Sequence, residues 1–508
     1  MSETQLVDPD LTTVTQVLAQ AAVRFGDADA LVSDETTLSY GQWWRDAGGV
    51  SSELKRMGVM RGDVVALILP SSIVYAVSYV AALRLGAVTS GINPRMGPRE
   101  VASILAILEP KAIIVDHDSR QLVPPELQSI AIDDTELAEH SRDEPADVVD
   151  ADPQDPTAIV WTSGTTGTLK GAWFDHRALK AVASATGELT HAYDRRLLPL
   201  PFAHAGFMTK IWETAAYGNA IILVNARFTA DDMLRVLRTE RITVAAGVPT
   251  QWERLLALVE GDAGSLPHLR IAAVSTAPAS AELVEAIREA LGVTVLVRYA
   301  STETPMGTGT LTGDPDEVVS RTVGRAHHGV ELRIVDESDR ELPPGDVGAV
   351  QLRSAAQMRG YWRNPELTAQ AMTVDGWVRT GDLGYLRDGT NLVLAGRRSD
   401  MYIRGGYNVY PLEVENVLAL HPDVREAAVV GVPAPDIGEK GVAIVVPVDS
   451  ARPPTREELR EFVRHHISDY KRPDEVVYVD QLPRTPMLKI ARSQLASLIA
   501  QQSTQPAD

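Results

Sequence analysis

The sequence predicts an α/β protein with more than one sheet and a separate small α+β domain at its C-terminal end. Three observations carry this. Short apolar runs alternate with helical patterns over the N-terminal part of the chain, which predicts parallel, doubly wound sheets. Between 330 and 352 the texture changes to period-two alternation around Pro343-Pro344-Gly345-Asp346, which predicts antiparallel strands forming a small β-barrel. A third texture starts after Gly396-Arg397-Arg398-Ser399-Asp400. The chain therefore divides into a large N-terminal domain over 1–398 and a small C-terminal domain over 399–508.

The individual elements follow in order. The run 64–83, VVALILPSSIVYAVSYVAAL, carries no charge over a membrane-spanning length. Pro70, Ser71 and Ser72 divide it into a buried strand, a turn with a helix cap, and a helix ending at a glycine. A buried β–α unit is expected, with no membrane insertion. Runs at 112–115 (AIIV), 157–161 (TAIVW), 220–224 (AIILV), 244–247 and 293–297 (VTVLV) read as strands, and 231–241 and 281–290 as helices. The last domain predicts helix 412–420 and strands 427–432 and 442–448. A helix then opens at the capping box Thr455-Arg456-Glu457-Glu458 and buries Leu459, Phe462, Val463 and Ile467. Strand 476–479 and helix 492–501 complete it.

Composition narrows the function. The 508 residues include 48 basic and 68 acidic ones, a net charge of −20 at pH 7. Such a surface repels nucleic acid and anionic membranes, so neither is an expected partner. Charged residues at 23% and hydrophobic residues at 44% exclude a disordered or fibrous chain. The absence of cysteine excludes thiolate nucleophiles, disulfides and thiolate metal sites. Covalent chemistry must use other groups, or a thiol brought by a cofactor. The start, MSETQLVDPD, is acidic and lacks a basic region followed by an apolar run, so a cytoplasmic location is expected.

The densest chemical signal is Trp161-Thr162-Ser163-Gly164-Thr165-Thr166-Gly167-Thr168-Leu169-Lys170-Gly171, directly after an expected strand. Its glycines let the backbone curl and turn amides toward an anion. The hydroxyls of Ser163, Thr165, Thr166 and Thr168 add donors, and Lys170 adds a positive charge. Such a loop suits a polyphosphate. It is not the P-loop of GTPases and kinases, whose lysine directly follows a glycine, because Lys170 follows Leu169. A plain polar hairpin is the competing reading, and it would not need this density of glycine, hydroxyl and lysine.

This segment resembles the phosphate loop of the adenylate-forming superfamily, which comprises acyl-CoA synthetases, luciferases and peptide-synthetase adenylation domains. Further matches follow in the family's order: Arg298-Tyr299-Ala300-Ser301-Thr302-Glu303, Gly360-Tyr361-Trp362-Arg363-Asn364-Pro365-Glu366-Leu367-Thr368 and Arg379-Thr380-Gly381-Asp382-Leu383-Gly384. Gly396-Arg397, Gly405-Gly406-Tyr407-Asn408-Val409-Tyr410-Pro411 and Tyr470-Lys471-Arg472-Pro473 complete the series. The overall likeness is nearest to acyl-CoA synthetases.

The resemblance implies ATP or AMP, Mg²⁺ and coenzyme A as cofactors, and a small carboxylic acid or its acyl-adenylate as substrate. It places Thr162, Ser163, Gly164, Thr165, Thr166, Gly167 and Lys170 around the phosphates and Tyr299 beside adenine. Ala300 and Ser301 join the nucleotide site, Thr302 donates to the α-phosphate, and Asp382 and Arg397 hold the ribose. Glu303 and Thr165 are the implied metal residues, and hard oxygen ligands are what Mg²⁺ prefers. Lys489, Glu303 and His204 are the implied catalytic residues. His204, Gly206, Phe207, Ser275, Thr276 and Pro278 are expected at the acyl pocket, and Gly405, Gly406, Tyr407, Asn408 and Lys471 at the coenzyme A tunnel. Ser399 is the expected hinge about which a mobile C-terminal domain turns between acid activation and thiol transfer.

Four positions depart from the family pattern. Leu169 stands where proline is usual, and Ser275-Thr276-Ala277-Pro278 where Gly-Gly-Ala-Pro is common. Ser399 replaces the aspartate or lysine of many hinges. Pro483-Arg484-Thr485-Pro486-Met487-Leu488-Lys489 keeps the adenylation lysine but has Met487-Leu488 for the preceding Thr-Gly, which predicts impaired adenylation beside retained thioesterification. An acid-adenylating enzyme serving a carrier protein and a catalytically silent nucleotide-binding protein are the alternatives. A homodimer is left open.

Overall fold

Residues 64–83 form the β–α unit that the Pro-Ser-Ser break predicts. Strand Val64–Ile68 is buried throughout, and the Ser72 hydroxyl caps helix Ile73–Arg84 by accepting the Tyr75 amide. Every residue of that helix is buried. Its apolar character follows from its place at the heart of the protein, where one core joins Val65 and Ile114 of one sheet to Leu31 and Ile221 of another through Val77, Trp43 and Trp212. No described helix is long and apolar enough to cross a membrane. This computed structural model describes residues 6–163, 169–198, 200–224, 229–247, 249–259, 266–274, 281–404, 407–435, 437–485 and 490–502.

Two large sheets flank that core. The seven-stranded one runs, in spatial order, Gly360–Tyr361, Leu169–Asp175, Pro156–Ser163, Val88–Ile92, Val64–Ile68, Ala112–Val115 and Ser129–Ala131. Its strands from Pro156–Ser163 to Ser129–Ala131 are parallel, and the first two pairings are antiparallel. The nine-stranded sheet has a parallel centre that includes Ala220–Ile222, Val244–Gly247, Ile271–Val274 and Thr294–Tyr299. Helices Ala230–Thr239 and Ala281–Leu291 lie where the periodicity predicts. The first stops two residues early because Arg241 takes φ +49°, a left-handed turn that ends a helix.

The antiparallel strands expected as a small barrel form a four-stranded sheet, Val330–Val335, Gly348–Ser354, Val378–Arg387 and Asn391–Arg397. Backbone bonds from Val323 to Leu392 and from Leu392 to Gly324 carry its last strand toward the nine-stranded sheet. The Pro-Pro-Gly-Asp turn closes as predicted, with Gly345 at φ +94°. The C-terminal part builds its own five-stranded sheet around Val424–Ala434 and Gly438–Pro447, with Glu475–Tyr478 joined in parallel. Thr455 and Glu458 form the predicted capping box of helix Arg456–His466, whose Leu459 and Val463 are buried.

Candidate active site

The expected phosphate loop closes a hairpin. Residues 164–168, with Gly164, Thr165, Thr166 and Gly167, lie outside the described residues, but both stems are placed. Strand Pro156–Ser163 pairs antiparallel with Leu169–Asp175, so Thr162 faces Lys170 and Ser163 faces Leu169. Leu169 therefore opens a strand, a position that proline also tolerates, so this departure from the family pattern is a mild one. Glycine is required at 171: a Cβ there would come within 2.8 Å of the Ile159 side chain and 3.2 Å of the Trp161 ring.

Lys170 reaches Tyr361, its ammonium 5.3 Å from the ring centre. The Tyr361 hydroxyl donates to Glu303 Oε1 at 2.8 Å, and the Met358 amide donates to the Glu303 carbonyl. Burial first, and then the Glu303 charge, holds the Tyr361 phenol well above its usual range, so it stays a donor. Three segments far apart in the chain thus meet at one ring. Ser301 closes the turn before Glu303, its amide donating to the Thr304 carbonyl and its hydroxyl bonding Thr304 Oγ1 at 3.0 Å. Thr302 is half-buried in that turn and Ala300 is exposed.

A second knot lies one step away. The Tyr299 hydroxyl donates to Asp382 Oδ2 at 2.5 Å, and Arg397 Nε stands 3.2 Å from Asp382 Oδ1. Asp382 and Arg397 are cross-strand partners, so the sheet register itself pairs them. Asp382 is 8% exposed while the Arg397 side chain faces solvent. Gly381, within strand Val378–Arg387 just before Asp382, takes φ +79°, a conformation glycine adopts without strain.

On the acyl side, His204 caps the short helix Ala205–Met208, its carbonyl accepting the Phe207 and Met208 amides. Gly206 is half-buried in that helix. Phe207, expected at the acyl pocket, lies instead in the main core: it is 2% exposed and stacks on Phe202 at 3.7 Å. Its position three residues past His204 turns the ring inward, against Tyr75 and Tyr79. Ser275, Thr276 and Pro278 lie outside the described residues.

In the C-terminal part, Gly405, Gly406 and Lys489 lie outside the described residues, and Asn408 is described only as part of strand Tyr407–Val409. Tyr407 is 58% exposed and stacks on Tyr470 at 4.6 Å. Lys471 is held within its own unit, donating to both Glu413 oxygens at 2.5 and 2.7 Å. Ser399 sits exposed in the turn after strand Asn391–Arg397. On one side of it the Arg398 amide bonds the Gly381 carbonyl, and on the other Asp400 pairs with Arg492 at 3.0 Å.

The sequence matches the family model described as AMP-binding enzyme over residues 18–362 and the AMP-binding enzyme C-terminal domain over residues 413–489. The chain belongs to the AMP-binding enzyme family. It is an adenylate-forming enzyme of the acyl-CoA synthetase type. An indoleacetate–CoA ligase of Aromatoleum aromaticum is 31% identical, over 95% of this chain and 96% of that protein. A fatty acid–acyl-carrier-protein ligase, ScoC of Streptomyces coeruleorubidus, is 30% identical over 97% of both. ATP-bound MatB from Rhodopseudomonas palustris superposes with a TM-score of 0.88 at 29% identity, covering 95% of this chain and 98% of that one.

For this AMP-binding enzyme, sequence reading missed the position of Tyr361. It lies within a quoted signature, yet its contact with Glu303 and Lys170 depends on a two-residue strand, Gly360–Tyr361, paired to Trp173 and Ala172. A strand so short leaves no periodic signal.

Proposed function

We propose that this enzyme cleaves ATP to activate a small carboxylic acid and passes the acyl group to coenzyme A, with adenylation the slower half-reaction. The observation that carries this reading is the pair of linked knots, Lys170–Tyr361–Glu303 and Tyr299–Asp382–Arg397. They assemble phosphate-side and ribose-side residues from five separate stretches of chain.

In this reading Asp382 accepts the ribose hydroxyls and Arg397 donates to the same sugar. Thr162, Ser163 and Lys170 flank the phosphates together with loop 164–168, and Thr302 donates to the α-phosphate. A carboxylate oxygen of the acid attacks the α-phosphorus, the bond to the β-phosphate bridging oxygen breaks, and pyrophosphate leaves. His204 borders the acid's path and Lys489 neutralises charge on the reacting groups. Such a transfer needs positioning and charge neutralisation more than a protein nucleophile, in keeping with a chain that lacks cysteine. In the second step the thiol sulfur bonds the acyl carbon, AMP departs with the former anhydride oxygen, and the thiol proton goes to solvent.

The residues present fit magnesium. Glu303 is half-buried, its Oε1 takes the Tyr361 hydroxyl, and no described lysine or arginine pairs with it. A carboxylate so placed suits a hard cation that keeps several waters. When bound, the ion supplies positive charge beside the phosphates. Glu303 and Thr165 would hold it.

Between the two steps the C-terminal domain, 399–508, turns about Ser399. Support comes from that turn, since the Arg398 amide bonds the Gly381 carbonyl while the Asp400 side chain pairs with Arg492 of the C-terminal helix, the Asp400 amide staying on the Arg397 carbonyl. Rotation withdraws Lys489 and brings up Gly405, Gly406, Tyr407 and Asn408 to line the thiol's path, with Lys471 beside them.

The slow first step rests on Met487-Leu488, which precede the adenylation lysine where relatives carry Thr-Gly. A glycine can adopt φ > 0 where leucine pays about 1–2 kcal/mol. The test compares acid-dependent ATP–pyrophosphate exchange, over a panel of acids, with thioester formation from a supplied acyl-adenylate. Met487→Thr/Leu488→Gly should quicken exchange about tenfold, from that same energy, and leave thioester formation unchanged. Fast wild-type exchange that the double change does not improve contradicts the slow first step. ScoC, a carrier-protein ligase, favours the second reading, in which a carrier thiol replaces coenzyme A. Acid- and CoA-dependent AMP release without any carrier decides for coenzyme A.

A further inference from the structure

Behind the Glu303 turn lies a cluster of cations that the reading above does not use. Lys210 Nζ and Arg298 Nη2 converge on one sulfur, Met306 Sδ, at 3.2 and 3.1 Å. A thioether is a weak acceptor and cannot balance two positive charges. The nearby anion is Glu213, 1% exposed, and it is already shared: Lys210 lies 2.8 Å and Arg196 2.5 Å from its oxygens. Among the described residues Arg298 has no carboxylate partner, and its Nε is buried without a hydrogen bond. His327 Nε2, also buried without a partner, adds no negative charge. Among the described residues, three cations thus surround one carboxylate, leaving two positive charges in excess.

Burying uncompensated charge is costly, and the titration of these groups reflects that cost. Burial lowers Lys210 to about 8 and Arg298 to about 10, with Glu213 opposing the shift in both. Lys210 nonetheless keeps 16% of its side chain accessible deep within the protein, so open space reaches it. The position of that space matters. Arg298 directly precedes Tyr299, Met306 is three residues past Glu303, and Lys210 sits six residues past His204, at the N-terminal cap of helix Ile211–Tyr217.

We propose that the acid this enzyme takes carries a second anionic group, and that Arg298 and Lys210 bind it at the far end of the acyl pocket. A second carboxylate there would accept from both nitrogens now aimed at a sulfur, and from the orphaned Arg298 Nε. The reacting carboxylate stays on the His204 side. Arg298 and Lys210 are therefore specificity residues, and the substrate class is a dicarboxylic acid or a comparable dianion. This rests on the ligase reading, but its test does not.

The test is calorimetric binding of succinate, adipate and suberate, each beside its monoacid twin butanoate, hexanoate or octanoate, to the full chain with AMP present. Wild type should bind at least one diacid about tenfold or more tightly than its twin, ~1.4 kcal/mol. That ratio should fall near one in Arg298→Leu and be partly regained in Arg298→Lys, with thermal unfolding checking that both fold. No diacid preference in wild type overturns the proposal, and that result stands even if a variant fails to fold. A preference that Arg298→Leu leaves intact overturns it as well. Diacid preference without CoA-dependent AMP release would uphold the anion site and reject the ligase reading. AMP release with monoacids alone would do the reverse.

Discussion

Asp382 and Tyr407 stand at opposite ends of the proposed reaction, and their surroundings differ sharply. Asp382 is 8% exposed and gripped from two directions, by Tyr299 and by its cross-strand partner Arg397. Tyr407 is 58% exposed and lies against the Tyr470 ring, on a sheet that shares no strand with the other three. Even Lys471, a charge expected to serve coenzyme A, is tied to Glu413 inside its own unit. The proposed nucleotide end is thus bonded together by its own side chains. The proposed thiol end rides on a sheet of its own, which follows the exposed Ser399 turn in the chain. A site that must hold AMP through two steps gains from fixed side chains, whereas a group needed in only one step gains from being movable.

Freezing the movable end should separate the two ends most. Ser399→Pro fixes φ in the hinge turn, at a position whose side chain bonds only its neighbour Asp400 among the described contacts. One pose should be trapped, so that one half-reaction falls about 10²-fold or more while the other persists, the usual cost of misplaced groups. Single-turnover assays of each step check this, and two equally intact steps would remove the hinge from Ser399.

Acid should next pick out the N-terminal unit. His176 is buried, and its Nδ1 accepts the Val14 amide at 3.1 Å, a bond that the protonated ring cannot accept. Burial lowers its titration from 6.5 to about 4. The unfolded chain therefore takes the proton first, so stability is constant above about 6.5 and falls as pH drops toward 4. At pH 5 the loss is about 2 kcal/mol from this one ring. Urea midpoints at pH 7 and pH 5 should differ less in His176→Gln than in wild type, and an unchanged difference would clear His176. Smallest of the three is Tyr361→Phe, which removes the hydroxyl bonded to Glu303. It should weaken ATP use about fivefold, for a bond worth ~1 kcal/mol, with the fold intact. An unchanged KM for ATP would show that the Tyr361–Glu303 bond does not order the nucleotide end.

Much of this architecture was legible because local patterns agreed with the global fold. The Pro-Ser-Ser break of 64–83, the Thr455 capping box and the Pro-Pro-Gly-Asp turn each appear where the residues predict. The motif residues Tyr299, Glu303, Asp382 and Arg397 were also nameable in advance, but not their bonds to one another or to Tyr361. Those depend on strand register and on pairings between distant segments, which one-dimensional periodicity does not encode. The same reason hid the convergence of Lys210 and Arg298 on Met306, and the inward turn of Phe207. Helix 231–241 ran long on paper because nothing in its pattern announced the left-handed Arg241.

The central claim is that a bonded nucleotide site exists in the N-terminal part whatever the C-terminal unit does. Calorimetry of AMP and ATP binding to wild type and Asp382→Ala tests it most directly, with circular dichroism to confirm folding. Loss of the carboxylate should weaken binding by about 2–3 kcal/mol, as for hydrogen bonds to a charged group. Nucleotide affinity unchanged in a folded Asp382→Ala protein would contradict the assignment of this knot to the ribose.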